Sequence, residues 1–160
     1  MQILVISDSH GKIDSIPHLL KTYNRKVQAV IHLGDNFGDL LQFQSQYSAM
    51  DFIAVAGNCD FASKDAPRER ILAFGPKRVL LIHGHSLNVK ASYNRLMYYS
   101  LEKEVDACLF GHTHIPEVFS HESVFFMNPG SLSEPRGSRA GYGLLNIDNE
   151  GNITGRLIEL

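Results

Sequence analysis

The sequence predicts an α/β fold in one domain spanning residues 1–160, and three observations lead to this prediction. Residues 3–6 form an uninterrupted run of isoleucine, leucine and valine, which is typical of a strand covered on both faces. Two further predicted strands, at 29–33 and 52–55, each follow a predicted helix, as βαβ units require. A chain of 160 residues, 44% of them apolar, is long enough to bury a substantial core.

The first predicted helix begins near Asp14, and Pro17 fits its first turn. Apolar side chains recur at helical spacing along it, at Ile16, Leu19, Leu20 and Tyr23. A short second helix is expected around residues 39–44. Strand, polar loop and helix therefore alternate through the first third of the chain.

The second half of the chain has a different pattern. Residues 71–74 and 78–82 flank a Gly-Pro turn and predict an antiparallel hairpin. A helix is predicted at 90–104 and a buried strand at 107–110. The short strands between 118 and 158, separated by Gly, Asn and Pro, predict a meander that builds a second sheet.

Composition narrows the possible partners. The formal net charge of -2 gives no basic field of the kind that holds long nucleic acids. No stretch approaches the roughly 20 apolar residues of a membrane helix, and the start of the chain reads as a strand rather than a signal sequence. We therefore expect a cytoplasmic protein without a membrane or long nucleic acid as partner. Cys59 and Cys108 are expected to be free thiols in such a compartment.

Side chains that bind metals stand at five places, each just after a predicted buried strand. They are Asp8 and His10, Asp35, Asn58, His83, and His112 with His114. Strand ends that lie side by side bring such residues together at one edge of an α/β sheet. Residues spaced i, i+2 also project to the same side of an extended segment. The pattern therefore predicts a centre for two metal ions.

The ligand types limit which metal is expected. Histidine nitrogen with carboxylate and amide oxygen suits Mn²⁺, Ni²⁺, Fe²⁺, Co²⁺ or Zn²⁺ better than Ca²⁺. Asp35 is the best candidate to bridge two ions. Taken alone, a histidine at a strand end is more often a structural residue, and Asn58 would be a turn residue beside Gly57. The prediction depends on five such signals occurring in one short chain.

These motifs, Asp-x-His, Gly-Asp, Gly-Asn-x-Asp, His-Gly-His and Gly-His-Thr-His, resemble those of the calcineurin-like metallophosphoesterase superfamily over residues 3–114. The segment from Asn128 to Ser131, with Pro135 and Arg136, is similar to the small bacterial and archaeal phosphodiesterase branch. The resemblance implies a four-layer α-β-β-α sandwich of two mixed sheets flanked by helices. It also implies two divalent ions per chain, most commonly Mn²⁺, and relatives that are often dimers or larger.

The resemblance also implies a role for each residue. One ion would lie between Asp8, His10, Asp35 and His114, and the other between Asp35, Asn58, His83 and His112. A hydroxide bridging the ions would attack a small phosphate ester. Asn58, Cys59 and Asp60 would form the catalytic segment. Much of the superfamily has histidine where this chain has Cys59, a poorer proton donor, so leaving-group acidity should matter more here.

Three neighbouring residues have two interpretations each. Asp60 either orients a ligand imidazole or caps its loop. His85 either lines the substrate pocket or is a loop histidine bonded to backbone, and Arg136 either contacts phosphate or is a structural or exposed residue. Two other functions are also open: a protein-binding scaffold that has kept this fold but lost the reaction, and a metal-dependent nuclease, which the absence of a basic tract disfavours.

Overall fold

The structure, a computed structural model, describes residues 1–60 and 64–160. Within these ranges ten strands and three α-helices alternate along the chain. They are β1 (Gln2–Ile6), α1 (Ser15–Tyr23), β2 (Ala29–His32), α2 (Gly38–Leu41), β3 (Asp51–Ala54), β4 (Glu69–Phe74), β5 (Lys77–Ile82), α3 (Asn94–Glu102), β6 (Ala107–Phe110), β7 (Pro116–His121), β8 (Val124–Pro129), β9 (Gly141–Ile147) and β10 (Ile153–Glu159). Single 3₁₀ turns occur at Gln44–Gln46, Asn58–Asp60 and His85–Leu87.

The strands form two mixed five-stranded sheets. The first has the order β10-β9-β1-β2-β3, in which β1, β2 and β3 are parallel. The second has the order β4-β5-β6-β8-β7, in which β5, β6 and β8 are parallel. Because parallel strands end at the same edge, each sheet presents several strand-to-loop junctions side by side.

Alternation along the strands builds three apolar layers. Ile3 and Val5 face the second sheet, where they share a core with Leu81 and Leu109. Leu4 points to the opposite face, into the core beneath α1 and α2. On the far side of the second sheet, α3 covers residues such as Leu80 and Phe110. The predicted four-layer α-β-β-α sandwich is confirmed.

The predicted meander at the end of the chain is wrong. Its four strands do not form one sheet: β7 and β8 join the second sheet, and β9 and β10 join the first. The cause is long-range pairing, since β9 lies antiparallel to β1, with Leu144 opposite Leu4, while β8 lies parallel to β6. The helix predicted at 90–104 is shorter, covering Asn94–Glu102, whereas the hairpin of β4 and β5 is confirmed.

Among the described residues, none of the helices has the length and apolar character needed to cross a membrane. Cys59 is exposed, Cys108 is buried in the second sheet, and both thiols are free. The chain therefore depends on its three apolar layers for stability, with no disulfide between these cysteines.

Candidate metal centre

The seven predicted ligands come from the ends of strands in both sheets. Asp8 and His10 follow β1, Asp35 follows β2, and Asn58 follows β3 in the first sheet. The second sheet contributes His83 after β5, and His112 and His114 after β6. The side chains therefore meet where the two packed sheets end together, and not at the edge of one sheet as expected from the strand pattern alone.

One cluster consists of Asp8, His10, Asp35 and His114, which each place a ligand atom within 4.8 Å of the others. Nε2 of His114 lies 3.2 Å from Oδ1 of Asp8 and 3.3 Å from Nε2 of His10. Nε2 of His10 is 3.9 Å from a carboxylate oxygen of both Asp8 and Asp35. These separations leave a small central space surrounded by nitrogen and oxygen atoms.

A second cluster shares Asp35 and adds His83 and His112. Oδ2 of Asp35 lies 3.4 Å from Nε2 of His83, which is 3.2 Å from Nδ1 of His112. Asp35 is the residue that both clusters have in common. Its carboxylate is therefore placed between two adjacent sites, as a bridging ligand must be.

The donor set fits divalent cations. Oδ1 of Asp8 is completely buried, yet it has no hydrogen-bond partner of ordinary geometry among the described residues. Burying a carboxylate oxygen in this way is costly unless a positive charge compensates it. Imidazole nitrogens with carboxylates are preferred ligands of first-row divalent ions. Nε2 of His114 lies 3.2 Å from this oxygen, and a cation at the centre of the first cluster would compensate its charge further.

Backbone hydrogen bonds fix the orientation of two imidazoles. Nδ1 of His83 donates to the carbonyl of Leu33 at 2.8 Å, and Nδ1 of His114 donates to the carbonyl of Glu134 at 2.7 Å. With the proton assigned to Nδ1, the lone pair of Nε2 points into the cluster. This is the tautomer that binds a metal.

Five of the seven residues adopt left-handed backbone conformations. Their φ angles are 55° at Asp8, 48° at His10, 60° at Asp35, 67° at His112 and 63° at His114. The expectation that the i, i+2 pairs lie on extended segments is therefore wrong. The pair His112 and His114 instead separates, with one residue in each cluster. Such conformations are unfavourable for side chains with a Cβ atom and concentrate at functional sites.

Two glycines allow the loops to approach closely. Gly34 has a φ of 100°, and a Cβ there would lie 2.9 Å from Nδ1 of His83. At Gly57 a Cβ would overlap Oδ1 of Asp35 and lie 2.5 Å from the backbone nitrogen of Asp35. The glycine that precedes Asp35 and the one that precedes Asn58 are therefore required by the packing of the two loops.

The comparisons with known proteins agree with this geometry. The calcineurin-like phosphoesterase superfamily domain matches residues 1–150. The chain belongs to this superfamily.

Two curated bacterial relatives are similar to it over most of their length. The probable metallophosphoesterase YsnB of Bacillus subtilis is 32% identical, over 94% of this chain and 86% of that protein. Phosphodiesterase YfcE of Escherichia coli is 29% identical, over 92% of this chain and 89% of that protein.

Two solved structures show the same fold. A predicted phosphoesterase from Streptococcus pneumoniae superposes with a TM-score of 0.80 and is 32% identical, covering 92% of this chain and 83% of that one. Vps29 from Entamoeba histolytica, solved as a D62A mutant, superposes with a TM-score of 0.76 at 21% identity, covering 100% and 99% of the two chains. The second similarity is one of fold alone.

In this calcineurin-like chain the segment after β3 is tied to Asp35. The backbone N–H of Cys59 donates to Oδ1 of Asp35 at 2.8 Å. The exposed Asn58 lies beside it, with its amide donating to Sγ of Cys59 at 3.4 Å. Asn58 thus directly precedes the residue that binds Asp35, while its amide nitrogen points toward the thiol.

Asp60 caps the loops around Asp35. Its carboxylate accepts 2.8 Å hydrogen bonds from the backbone N–H groups of Asp35, Asn36 and Gly57. Its hydrogen bonds to described residues are all of this kind, so the loop-capping interpretation is the one that the geometry supports. A carboxylate that binds these three backbone amides helps to position Asp35.

Burial, hydrogen bonds and neighbouring charges set the pKa values of the acidic groups in and beside the clusters. Burial would raise the pKa of Asp8, but hydrogen bonding to His114 and the charge of His83 hold it below its usual value. Burial of Asp35 is likewise outweighed by His83, and its pKa is lowered. Both acids are therefore carboxylates at neutral pH. Burial of Cys59, reinforced by Asp35, raises the pKa of its thiol to about 11.

The histidines divide into two groups. Burial lowers the pKa of His83, but its hydrogen bond to Asp35 and the charges of Asp8 and Asp35 together outweigh burial, and the pKa is raised. Hydrogen bonding to Asp8 likewise raises the pKa of His114. Burial, together with the charges of the neighbouring His83 and Lys90, lowers the pKa of His112 to about 4. The raised pKa values of His83 and His114 thus reflect the carboxylates that lie close to their Nε2 atoms.

His85 and Arg136 line two different cavities. The ring of His85 is centred 5.4 Å from that of His83, and the residue lines a cavity with Asn58 and Arg68. Arg136 lines a different cavity, and its backbone N–H donates to the carbonyl of His114 at 3.0 Å. Both residues are beside the site, and neither belongs to a ligand cluster.

Two supporting residues were not assigned a role from sequence. The buried Ser131 donates to the backbone carbonyl of Asp8 at 2.7 Å, and the buried Asn128 donates to the carbonyl of Gly111 at 3.0 Å. Together they hold the loops after β1 and β6 in place. The polar Asn-Pro-Gly-Ser run directly after an apolar strand was the signal that could have indicated them.

Proposed function

We propose that this chain is a metal-dependent phosphodiesterase that binds two divalent ions in adjacent sites. Asp8, His10, Asp35 and His114 would hold one ion, and Asp35, Asn58, His83 and His112 the other. The single observation that carries this proposal is the shared carboxylate of Asp35 between the two clusters. Four or fewer protein ligands for each ion leave positions for water and substrate, as a catalytic site requires.

The bound ions would supply Lewis acidity to the phosphate oxygens and an activated water at neutral pH. Residues of this chain orient the proposed ligands of both sites. His83 and His114 are oriented through their Nδ1 atoms, and Asp60 and the backbone of Cys59 fix Asp35. Mn²⁺ is the most suitable ion for this mixed nitrogen and oxygen set, with Ni²⁺, Fe²⁺, Co²⁺ and Zn²⁺ as further candidates.

We expect the chain to prefer diester substrates with acidic leaving groups, because of the residue beside Asp35. The Cys59 thiol is neutral at pH 7 because its pKa is raised to about 11, so it is a weak proton donor. A leaving group that departs as a stable anion needs no such donor. The name of the relative YfcE, a phosphodiesterase, agrees with this preference.

The decisive assay is hydrolysis of bis(4-nitrophenyl) phosphate by purified protein, stripped of metal and then supplied with Mn²⁺ or Ni²⁺. We expect activity with metal and none with a chelator. His83→Ala and Asn58→Ala should each reduce kcat by at least about a hundredfold, since each removes a ligand. His18→Ala, on the exposed face of α1, is the matched control and should retain activity.

The scaffold alternative has one supporting observation, the similarity of fold to Vps29. A scaffold does not need an intact donor set, whereas here the carboxylates and imidazoles lie within coordinating reach of one another. Absence of hydrolysis with every metal tested, together with a stable complex with a second protein, would favour the scaffold.

A further inference from the structure

A cavity of about 320 Å³ opens beside the histidines that follow β6. Thr113, which lies between His112 and His114 in the chain, forms part of its wall. Arg136 forms another part and is tied to the His114 backbone by its own N–H group. Ligand cavities in proteins are roughly 300–1,000 Å³, so this space holds one small organic group next to the metal centre.

Two cationic side chains line this cavity, Lys90 and Arg136. Both are exposed, and neither takes part in an ion pair with a carboxylate among the described residues. The residues that line the cavity include no acidic side chain. The cavity is therefore positively charged although the chain carries a net charge of -2.

Much of the remaining wall is apolar, and its aromatic part is held in place by neighbouring side chains. The Tyr93 hydroxyl donates to Glu117 at 2.7 Å, and the Tyr93 ring stacks on Phe119 at a centroid distance of 5.5 Å. Ile115 lies on the cavity with 45% of its surface exposed, which is unusual for a large apolar side chain. An apolar surface with cations beside it is complementary to an organic anion with a short carbon skeleton.

We propose that this cavity holds the second ester group of the substrate, and that this group carries a negative charge of its own, recognised by Lys90 and Arg136. The inference rests on the proposed phosphodiesterase function and adds the class of substrate. The preferred substrate is then a phosphodiester in which one alcohol bears a further anionic group a few bonds from the phosphorus. Ile115 and Tyr93 contact the carbon atoms between the two charges.

A matched pair of substrates tests this proposal. 4-Nitrophenyl ethyl phosphate and 4-nitrophenyl 2-carboxyethyl phosphate have the same leaving group and differ in one carboxylate. We expect kcat/KM of the Mn²⁺-loaded protein to be about fivefold higher for the carboxyethyl ester, a modest preference because the two cations are exposed. In the variant Lys90→Met/Arg136→Gln the ratio of the two kcat/KM values should fall to about one.

The control is Lys21→Met, which removes an exposed lysine on α1 and should keep the fivefold ratio. An equal kcat/KM for both esters in the original protein, or an unchanged ratio in the double variant, would overturn the inference. Hydrolysis of neither ester would instead contradict the proposed function. In that case calorimetry of the Mn²⁺-loaded protein with ethylphosphonate and 2-carboxyethylphosphonate still decides the inference, since equal affinities would exclude it.

Discussion

Cys59 shows how one side chain limits the chemistry of this centre. Burial, together with the carboxylates of Asp35 and Asp60, raises the pKa of its thiol to about 11, so the thiol remains protonated at neutral pH. Efficient general acids have pKa values near the working pH. Cys59 therefore contributes its backbone N–H, which binds Asp35, more than its side chain.

Cys59→His should increase hydrolysis of alkyl diesters, which need a protonated leaving group. We expect kcat for glycerophosphocholine to rise by at least about tenfold, because an imidazole donates a proton near neutral pH and reaches further. Cys59→Ala should change kcat for bis(4-nitrophenyl) phosphate by less than about threefold, since nitrophenolate leaves without a proton. The prediction is wrong if Cys59→Ala abolishes turnover of the nitrophenyl ester.

His83 and His114 give the stability of the metal-free protein a dependence on pH. Their raised pKa values mean that the folded chain binds these protons more tightly than the unfolded chain. This stabilisation is fully present below the unfolded value, about 6.5, and is lost as pH rises through the folded values. The lowered pKa values of His32 and His112, both about 4, act mainly below pH 6.5 and in the opposite direction.

We therefore expect the free energy of unfolding of the metal-free protein to decrease over the pH interval above about 6.5. The extra stability conferred by Mn²⁺ should increase over the same interval, because the ion competes with protons for Nε2 of both residues. Urea denaturation with and without Mn²⁺ measures both quantities, and His83→Gln should reduce the decrease. A metal-free protein that becomes more stable over this interval would show that these imidazoles are not protonated in the fold.

The loops that follow β2 and β3 form one hydrogen-bonded and closely packed unit. Asp60, in the turn after β3, accepts hydrogen bonds from the backbone of Asp35 and Asn36 after β2. The two loops approach so closely that Gly57 has no room for a side chain beside Asp35. The position of the Asp35 carboxylate, which belongs to both clusters, therefore depends on strand ends that neighbour each other in the first sheet.

Gly57→Ala should disturb this unit. Its methyl group would overlap the Asp35 carboxylate, so we expect a loss of about 1–3 kcal/mol in the free energy of unfolding. The affinity for Mn²⁺, measured by calorimetry, should fall by at least about tenfold as Asp35 moves.

Gly38→Ala is the matched control for the same substitution. No atom lies within 4 Å of a Cβ at Gly38, the first residue of α2. The stability of this variant should change by less than about 1 kcal/mol, and its Mn²⁺ affinity should be unchanged. Equal Mn²⁺ affinity in the two variants would mean that the contact of Gly57 with Asp35 does not position a ligand.

At the scale of the whole molecule, the sequence was most informative where a residue type that binds metals directly follows a predicted strand. Each ligand residue follows a buried strand directly, which is a local pattern and could be recognised without knowledge of the sheet order. The resemblance to a known superfamily then supplied the four layers and the division into two clusters.

Other features depend on contacts between distant residues. The pairing of β9 with β1 joins residues 146 and 2, and nothing local distinguishes it from a meander. The left-handed backbone of Asp8 or His112 is uncommon for residues other than glycine, although Asp and His adopt it more often than most, and the surrounding loops impose it here. The loop-capping role of Asp60 and the position of Lys90 beside His112 likewise emerge only when the loops are assembled.

The two sheets must pack together before the centre can exist. The first sheet supplies Asp8, His10, Asp35 and Asn58, and the second supplies His83, His112 and His114. The apolar layer that contains Val5, Ile31 and Leu109 therefore sets the distance between the ligands as well as stabilising the fold. Metal binding should in turn stabilise the packed sheets.

The measurement that tests this account most directly is anomalous diffraction from crystals of the protein soaked in Mn²⁺. We predict two adjacent peaks, one enclosed by Asp8, His10, Asp35 and His114 and the other by Asp35, His83 and His112, with Asn58 completing the second. Asp35→Asn should lower the occupancy of both peaks, because both ions share this carboxylate. No peak at these positions, or ions bound elsewhere on the chain, would contradict the assignment of these side chains as a two-metal centre.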